Sequence, residues 1–304
     1  MSFSSKTIRK DFIEFFENKK HTFVRSSPVM PIDDETLLFT NAGMNQFKKI
    51  FLDQEKPKSK RVVNSQKCIR VSGKHNDLEE VGADEFHHTF FEMLGNWSFG
   101  DFYKKEIIMW SWELLTEVWK LDKQRLWVTV YKDDDEAEQL WKEFTDVDSD
   151  RILRFGDKDN FWEMGETGPC GPCSEIHFYI GDDLSKQDSS GVNRESDYRE
   201  LWNLVFIEFN RKANGNLEEL PMKHVDTGAG LERLVATLNK TTDHYKTDLF
   251  VSIVKEIENI SGKDYSFQNG MPHRVISDHL RMVSFSLADG VMPSNEGRGY
   301  VVRR

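Results

Sequence analysis

The sequence predicts an α+β fold: an antiparallel sheet flanked by helices, with further helices at the C-terminal end. Strand-like runs concentrate in the middle of the chain and helical periodicity marks both ends, a segregation that favours an α+β core over alternating βαβ units. Composition supports a substantial core. The 304 residues are 38% hydrophobic and 31% charged, with 22 Phe and 8 Trp, the balance of a globular chain and not of a disordered one. At roughly 150 residues per domain, that length suggests about two domains or one large one.

Ile8, Phe12, Phe15 and Phe16 recur at i, i+4, i+7 and i+8, so an amphipathic helix opens the chain and ends near Asn18-Lys19-Lys20. His21–Val24 and Leu37–Thr40 are strand-like, and Lys56, Lys58, Lys60 and Arg61 form a basic loop around Pro57. Cys68–Asp77 and His87–Met93, with a turn at Val81-Gly82, read as two antiparallel strands joined by a long polar loop. Ile108, Met109, Trp112, Leu115 and Trp119 mark a helix, Leu126–Tyr131 a strand, and Ala137, Leu140, Trp141 and Phe144 another helix. Glu175–Ile180 and Leu201–Phe209 read as strands; the polar stretch Gly181–Glu195 between them is an exposed connection. Beyond Gly228 the pattern turns helical, with Leu249, Phe250, Ile253, Val254 and Ile257 on one face, and Ile276, Leu280, Val283 and Leu287 on another. No internal repeat is visible.

Several function classes fall away. The formal charge is 41 − 52 = −11 and the pI about 5.4, which argues against a basic nucleic-acid coat and confines any RNA contact to a local patch. No apolar run approaches the ~18 residues of a membrane span. The opening Met1–Lys6 lacks the apolar stretch of a signal peptide, so the chain reads as cytoplasmic. Three cysteines make no disulfide framework, in keeping with a reducing compartment.

Three segments carry polar chemistry. In Val225–Leu234 (VDTGAGLERL) a strand end, two glycines one residue apart and a helix start let a ligand approach the backbone, and Arg233 adds a guanidinium in the first turn. That suits a nucleotide, although a plain glycine turn reads equally well. The dinucleotide fingerprint fails, even with Asp248 placed 20 residues after Gly228: Arg233 stands where its third glycine belongs, and Pro221 spoils the buried parallel strand. No P-loop pattern occurs. In the hairpin, Arg70 and Lys74 are offered to phosphates and Phe90 or Phe91 to a base; the bland alternative is a solvated hairpin with core phenylalanines. Cys170-Gly171-Pro172-Cys173 suggests a redox pair, but the residues that follow alternate as a strand, so no helix N-terminus lowers a thiol pKa. A zinc site from Cys68, Cys170, Cys173 and His177 lacks any second Cys-x-x-Cys. A rigid loop with inert thiols is the preferred reading. Trp162 and Trp202-Asn203-Leu204-Val205 are ordinary core or the wall of a very small pocket.

Taken together the segments resemble the catalytic domain of the alanyl-tRNA synthetase family, class II aminoacyl-tRNA synthetases. The resemblance spans essentially the whole chain: Leu38–Phe47 (LFTNAGMNQF), Cys68–Asp77, His87–Asp101 (HHTFFEMLGNWSFGD), Gly168–Glu175 (GPCGPCSE), Asp226–Arg233 (DTGAGLER) and Ala288–Asn295 (ADGVMPSN), in the family's order. It implies a class II antiparallel sheet of six to seven strands, a catalytic domain over 1–240, and a helical continuation over 241–304 that begins a truncated tRNA-recognition region. It implies activation of alanine by ATP, then transfer to the 3′ end of tRNA(Ala), whose acceptor stem is the macromolecular partner. No membrane is implicated and the fragment is expected to be monomeric.

The resemblance also implies residue roles. Arg70 matches the motif 2 arginine that clamps the α-phosphate and attacking carboxylate; Phe91, four after His87, stacks on adenine with Met93 along the base. Arg233 matches the motif 3 arginine on adenine's other face. Lys74 and His75 reach pyrophosphate or the acceptor end, Asp226 holds the alanine ammonium, and Trp162, Asn203, Val205 and Gly228 shape the pocket around its methyl. Asn295 reads the acceptor stem. Ser72 stands where most class II enzymes carry an acid, so the Mg2+ ligands are unassigned and Glu208 is the candidate. The family's editing domain and its zinc are expected beyond Arg304. No zinc is therefore expected here, and this stretch is expected to activate alanine, charge tRNA poorly and not edit. The rivals are a synthetase-like module that binds nucleotide or RNA without chemistry, and a zinc or redox protein built on Cys170 and Cys173.

Overall fold

The computed structural model describes residues 3–31, 37–72, 75–76, 78–84 and 86–304, with the backbone alone at 72, 75 and 76. Helix α1 (Ser5–Asn18) starts under Ser4, whose hydroxyl accepts from the Thr7 N–H, and buries Ile8, Phe12 and Phe16. Strand β1 (Thr22–Phe23) and α2 (Lys48–Phe51) precede β2 (Arg61–Ile69), a short β3 (Val71–Ser72) and β4 (His75–Asn76), and β5 (Phe90–Phe99). Then come α3 (Lys104–Glu113), β6 (Leu126–Tyr131), α4 (Asp135–Phe144), β7 (Ile152–Phe155), α5 (Asp157–Asn160), β8 (Phe161–Glu163) and β9 (Gly168–Tyr179). The chain continues through β10 (Tyr198–Arg211), β11 (Leu217–Gly230), α6 (Leu231–Leu238), α7 (Val251–Ser261), α8 (Met271–Ala288) and α9 (Gly297–Arg303).

Nine strands form one sheet in the order β1-β2-β5-β11-β10-β9-β6-β7, with β8 paired to β9. From β2 to β6 every pairing is antiparallel, as is β8 with β9, and parallel β1 and β7 are added at the two edges. The predicted antiparallel α+β sheet is therefore present, widened by a parallel strand at each side. Two hairpins make its centre: β2–β5 and β10–β11. They meet in one seam where His224 to Gly230 of β11 pair with Phe99 to Met93 of β5.

Alternation sorts the strand residues by face. Trp202, Leu204 and Phe206 of β10 join α1, α3, α4 and α6 in the main core, whereas Val205 and Ile207 belong to a smaller cluster with Trp97, Phe99 and Cys173 on the opposite face. A third cluster ties α8 and α9 to the β2–β5 hairpin through Ile69, Phe90, Met282 and Val302.

Four local expectations are corrected. His21–Val24 yields only the two-residue β1. Leu37–Thr40 is not a strand: its backbone bonds are isolated, Thr40 N–H to Val29 O and Ile69 N–H to Thr40 O, both 2.8 Å. Arg61 is no loop cation but the first residue of β2, paired with Asp101. Cys170–Cys173 is not a loop but lies inside β9, buried along its whole length. A register shift between Val205 and Phe209 of β10 accommodates the prolines, and Gly171 passes so close to the Phe206 carbonyl that any Cβ would collide with it. The shared face expected of Ile276, Leu280, Val283 and Leu287 lies on α8; Val283 packs against the third cluster, whereas Ile276, Leu280 and Leu287 are 49%, 50% and 41% exposed and His273, Arg274, Ser277, Asp278 and Arg281 are buried.

Candidate active site

On the face opposite the main core, β5, β11, β10 and β9 floor a cleft of about 420 Å³. Its lining includes Arg70, Phe91, Met93, Trp162, Asn203, Val205, Asp226, Gly228 and Arg233, which are the described residues singled out for alanine and ATP. Register explains the convergence. Asn203 lies opposite Gly228 on one side and Glu175 on the other, and Val205 opposite Asp226 and Cys173, so two-residue steps on three neighbouring strands present one polar-and-apolar patch to the same face. Lys74 lies outside the described residues, as does the side chain of His75. Asn295 is exposed away from the cleft and accepts a hydrogen bond from Arg303.

Asp226 is 6% exposed and accepts a 2.6 Å hydrogen bond from Trp97 Nε1. The indole folds back over Gly95 and lies against Gly43, where side chains would collide with it. Burial pushes the Asp226 carboxyl up to about 7, against the opposing pull of that hydrogen bond. An anion with so little compensation is poised for a cation. Gly228 beside it is bare for a reason: a Cβ there would sit 2.7 Å from Met93 Sδ.

Arg70 follows the end of β2. Its N–H donates to Thr89 O at 2.9 Å, its Nε donates to Asn41 O at 3.1 Å, and its guanidinium lies 5.0 Å from the centre of the Phe91 ring. Among the described residues no carboxylate forms an ion pair with it, which leaves its charge available. Arg233, in the first turn of α6, donates from Nη1 to both the carbonyl and the carboxylate of Glu200, each at 3.0 Å.

Glu175 and Glu200 also line the cleft and were not singled out from sequence. Burial, with the Glu200 charge adding to it, raises the Glu175 carboxyl despite the hydrogen bond to His177. Burial opposes the charge on Glu200 too, but Arg233 and His177 outweigh it and hold that carboxyl below the usual range. Asn203 Nδ2 donates to Glu175 at 3.2 Å, which turns its Oδ1 away; that oxygen is buried without a partner. Alternation from Cys173 could have pointed to Glu175. It misplaces Glu200: the extra residue between Glu200↔His177 and Trp202↔Ile176 is a β-bulge that brings Glu200 round to the cleft face. Phe86 and His87 line the cleft as well, Phe86 packed 3.6 Å beneath the Arg199 guanidinium.

Glu208 is displaced from its suggested role. It accepts from Tyr103 Oη and sits near Lys104 and Lys223, outside the cleft. Cys68 and Cys173 are buried, and burial raises both thiols well above the ordinary value, so neither is a reactive thiolate. Cys68 also stands on β2, four strands from Cys173 on β9. Among the described residues no group of three or more His, Cys, Asp or Glu is arranged around a metal position, and no helix is long and apolar enough to cross a membrane.

The family described as tRNA synthetases class II (A) matches residues 7–304. The chain is 60% identical over 306 residues to the alanine–tRNA ligase of Chlorobium chlorochromatii, covering 99% of this chain and 34% of that protein. It is 53% identical over 323 residues to the cytoplasmic alanine–tRNA ligase of Dictyostelium discoideum, covering 98% and 34%. The chain thus spans about a third of the length of the curated relatives it matches. Among solved structures, apo histidyl-tRNA synthetase of S. aureus aligns with a TM-score of 0.45 and 9% identity, over 77% of this chain and 66% of that one.

Proposed function

The chain belongs to the class II (A) tRNA synthetases, and from that premise we propose that it is the catalytic part of an alanine–tRNA ligase, which activates alanine with ATP and transfers it to the 3′ end of tRNA(Ala). The observation that carries the reading is the meeting of Arg70, Asp226 and Arg233, distant in sequence, around one cleft.

In this reading the alanine ammonium faces Asp226 and the unpartnered Oδ1 of Asn203, and its methyl lies against Val205 and Trp162 over bare Gly228. The carboxylate is left toward Arg70. One of its oxygens attacks the α-phosphorus of ATP, the bond to the bridging oxygen breaks, and pyrophosphate leaves. Arg70 holds both reactants where negative charge gathers, so catalysis is positioning and electrostatics with no covalent enzyme intermediate. Adenine stacks between Phe91 and Arg233 with Met93 at its edge, which displaces Arg70 from the Phe91 ring toward the phosphate. Lys74 and His75 serve pyrophosphate or the acceptor end. In the second step a terminal ribose hydroxyl of tRNA attacks the alanyl carbonyl and AMP departs.

With Asn203 Oδ1 turned to the ammonium, Glu200, which keeps 37% of its side-chain surface open, is the cleft carboxylate that would hold a hard divalent cation such as Mg2+. Such an ion supplies charge neutralisation at the phosphate oxygens. The reading carries with it a cytoplasmic location, a monomeric chain, a division near residue 240 between catalytic and tRNA-recognition parts, and contact of Asn295 with the acceptor stem. A pocket this apolar discriminates one methylene by only ~1–3 kcal/mol, so glycine competes measurably and serine is hard to exclude.

The test is alanine-dependent exchange of labelled pyrophosphate into ATP, with glycine and serine alongside. The wild-type chain is expected to exchange with alanine most rapidly. Exchange no faster than that of Arg70→Ala would sink the proposal, and ATP binding without exchange would favour a non-catalytic nucleotide-binding module.

A further inference from the structure

Helix α8 is amphipathic in reverse. Three of the four residues of its apolar stripe, Ile276, Leu280 and Leu287, are exposed, and it buries Asp278 and Arg281 at 1% and 7% exposure. A buried ion pair adds little net stability over well-packed apolar side chains, while removing one member of it is costly. A helix that needed only to pack would have buried the other face. What these charges hold is therefore informative.

Asp278 Oδ1 accepts from the Thr89 N–H at 3.0 Å and Oδ2 accepts from the Thr89 hydroxyl; His88 Nδ1 lies 3.5 Å from the same carboxylate. His88 is fixed from its other side by His244, with ring nitrogens 2.9 Å apart. One turn further along α8, Arg281 Nη2 donates to Glu232 Oε1 at 2.9 Å, and Glu232 Oε2 accepts from the Glu92 N–H at 3.1 Å. Phe285, a further turn on, stacks on Phe90 at 4.3 Å with the rings 8° from parallel. Thr89 and Phe90 immediately precede Phe91; Glu232 immediately precedes Arg233. The three α8 side chains thus grip the neighbours of two residues that wall the same slot, one on β5 and one on α6.

We infer that Asp278 and Arg281 are positioning residues for ATP: by anchoring Thr89 and Glu232 to one helix, they set the gap between Phe91 and Arg233 into which the adenine ring fits. The inference rests on the reading of the cleft as an ATP site. Neither residue touches the nucleotide; both act through the backbone segments they hold. Among the described residues no hydrogen bond or ion pair joins Asp278 or Arg281 to the alanine-binding patch on β10 and β11, so the effect is specific to one substrate.

Asp278→Asn keeps the shape and removes the charge; Arg281→Met removes the grip on Glu232; Arg281→Lys keeps the charge without the planar fork. In the exchange assay the KM for ATP is expected to rise about tenfold in Asp278→Asn and Arg281→Met, the order of loss that sub-ångström misplacement produces, with the KM for alanine within about twofold of wild type on the same grounds. Arg281→Lys falls between. A purely structural role would move both KM values together or lower only the amount of active protein. An unchanged KM for ATP in Asp278→Asn, or an equal rise in both constants, overturns the inference, and Asp278→Asn with Arg281→Lys decides the matter if Arg281→Met does not fold. A wild-type chain that binds ATP but exchanges nothing defeats the reaction proposed above and leaves calorimetric ATP affinities of the variants to judge this one. A wild-type chain that binds no ATP overturns both.

Discussion

Asp226→Asn should make the chain more stable and less able to use alanine. The carboxyl sits at about 7 in the fold against an ordinary value near 3.8. Below about pH 4 it is neutral in both the folded and unfolded chain. Between about 4 and 7 the folded chain keeps a proton that the unfolded chain has released, so stability falls as pH rises; above about 7 both are charged and the penalty is complete. Each unit is worth about 1.36 kcal/mol. Between pH 5 and 7 the wild type should therefore lose about 2 kcal/mol relative to Asp226→Asn, which retains the acceptor for Trp97 Nε1 and has no charge to bury. Urea unfolding of both proteins at pH 5, 6, 7 and 8 reads the difference directly. Alanine binding is linked to the same ionisation. Its ammonium pairs only with the ionised carboxylate, so the wild-type KM for alanine should climb as pH falls below about 7, approaching tenfold per unit. In Asp226→Asn the same KM should be high and flat, by a factor on the order of 100 for a lost buried charge pair. Parallel stability curves for the two proteins, or a pH-independent alanine KM in wild type, would refute the placing of an uncompensated anion in this pocket.

Gly228→Ala puts a methyl 2.7 Å from Met93 Sδ; the thioether can yield, so the melting temperature should change by only a few degrees while the alanine KM rises at least about tenfold. An unaltered alanine KM would remove Gly228 from the pocket floor. Glu200→Ala frees Arg233 and deletes an oxygen donor, and the Mg2+ concentration for half-maximal exchange should rise several-fold; an identical Mg2+ titration would place the ion elsewhere. Cys68 and Cys173 should resist thiol reagents at pH 8 until denaturant is added, as followed by mass spectrometry, and rapid modification of the folded chain would contradict their burial.

How legible the site was depended on local regularity. Asn203 and Val205 fall on one face of an unbroken stretch of strand, and Arg233 follows a strand end and two glycines, so their placement could be read without coordinates. Glu200 could not. One inserted residue at Leu201 reverses the parity on which such readings depend. Cys170-Gly171-Pro172-Cys173 misled for a related reason: glycine and proline signal a turn, but here they fit a strand opposite a second bulge and a carbonyl that tolerates no side chain. In α8 the period of the apolar residues was legible and what lies against them was not, since periodicity identifies a face but not its neighbour. Asp278 and Arg281, one turn apart on the other face, find their partners at Thr89 and Glu232, separations of 189 and 49 residues that no local pattern encodes.

The seam between the two central hairpins has a kinetic consequence. Arg70 and Phe91 arrive with β2 and β5, and Asn203, Asp226 and Arg233 with β10, β11 and α6, so neither half possesses a usable fraction of the cleft. Each hairpin closes locally, but zipping Phe99 to His224 spans 125 positions of chain and is the kind of distant pairing that forms late. During refolding from denaturant, strand content measured by far-ultraviolet dichroism should therefore return ahead of pyrophosphate exchange, and the lag between the two signals times the joining of the halves.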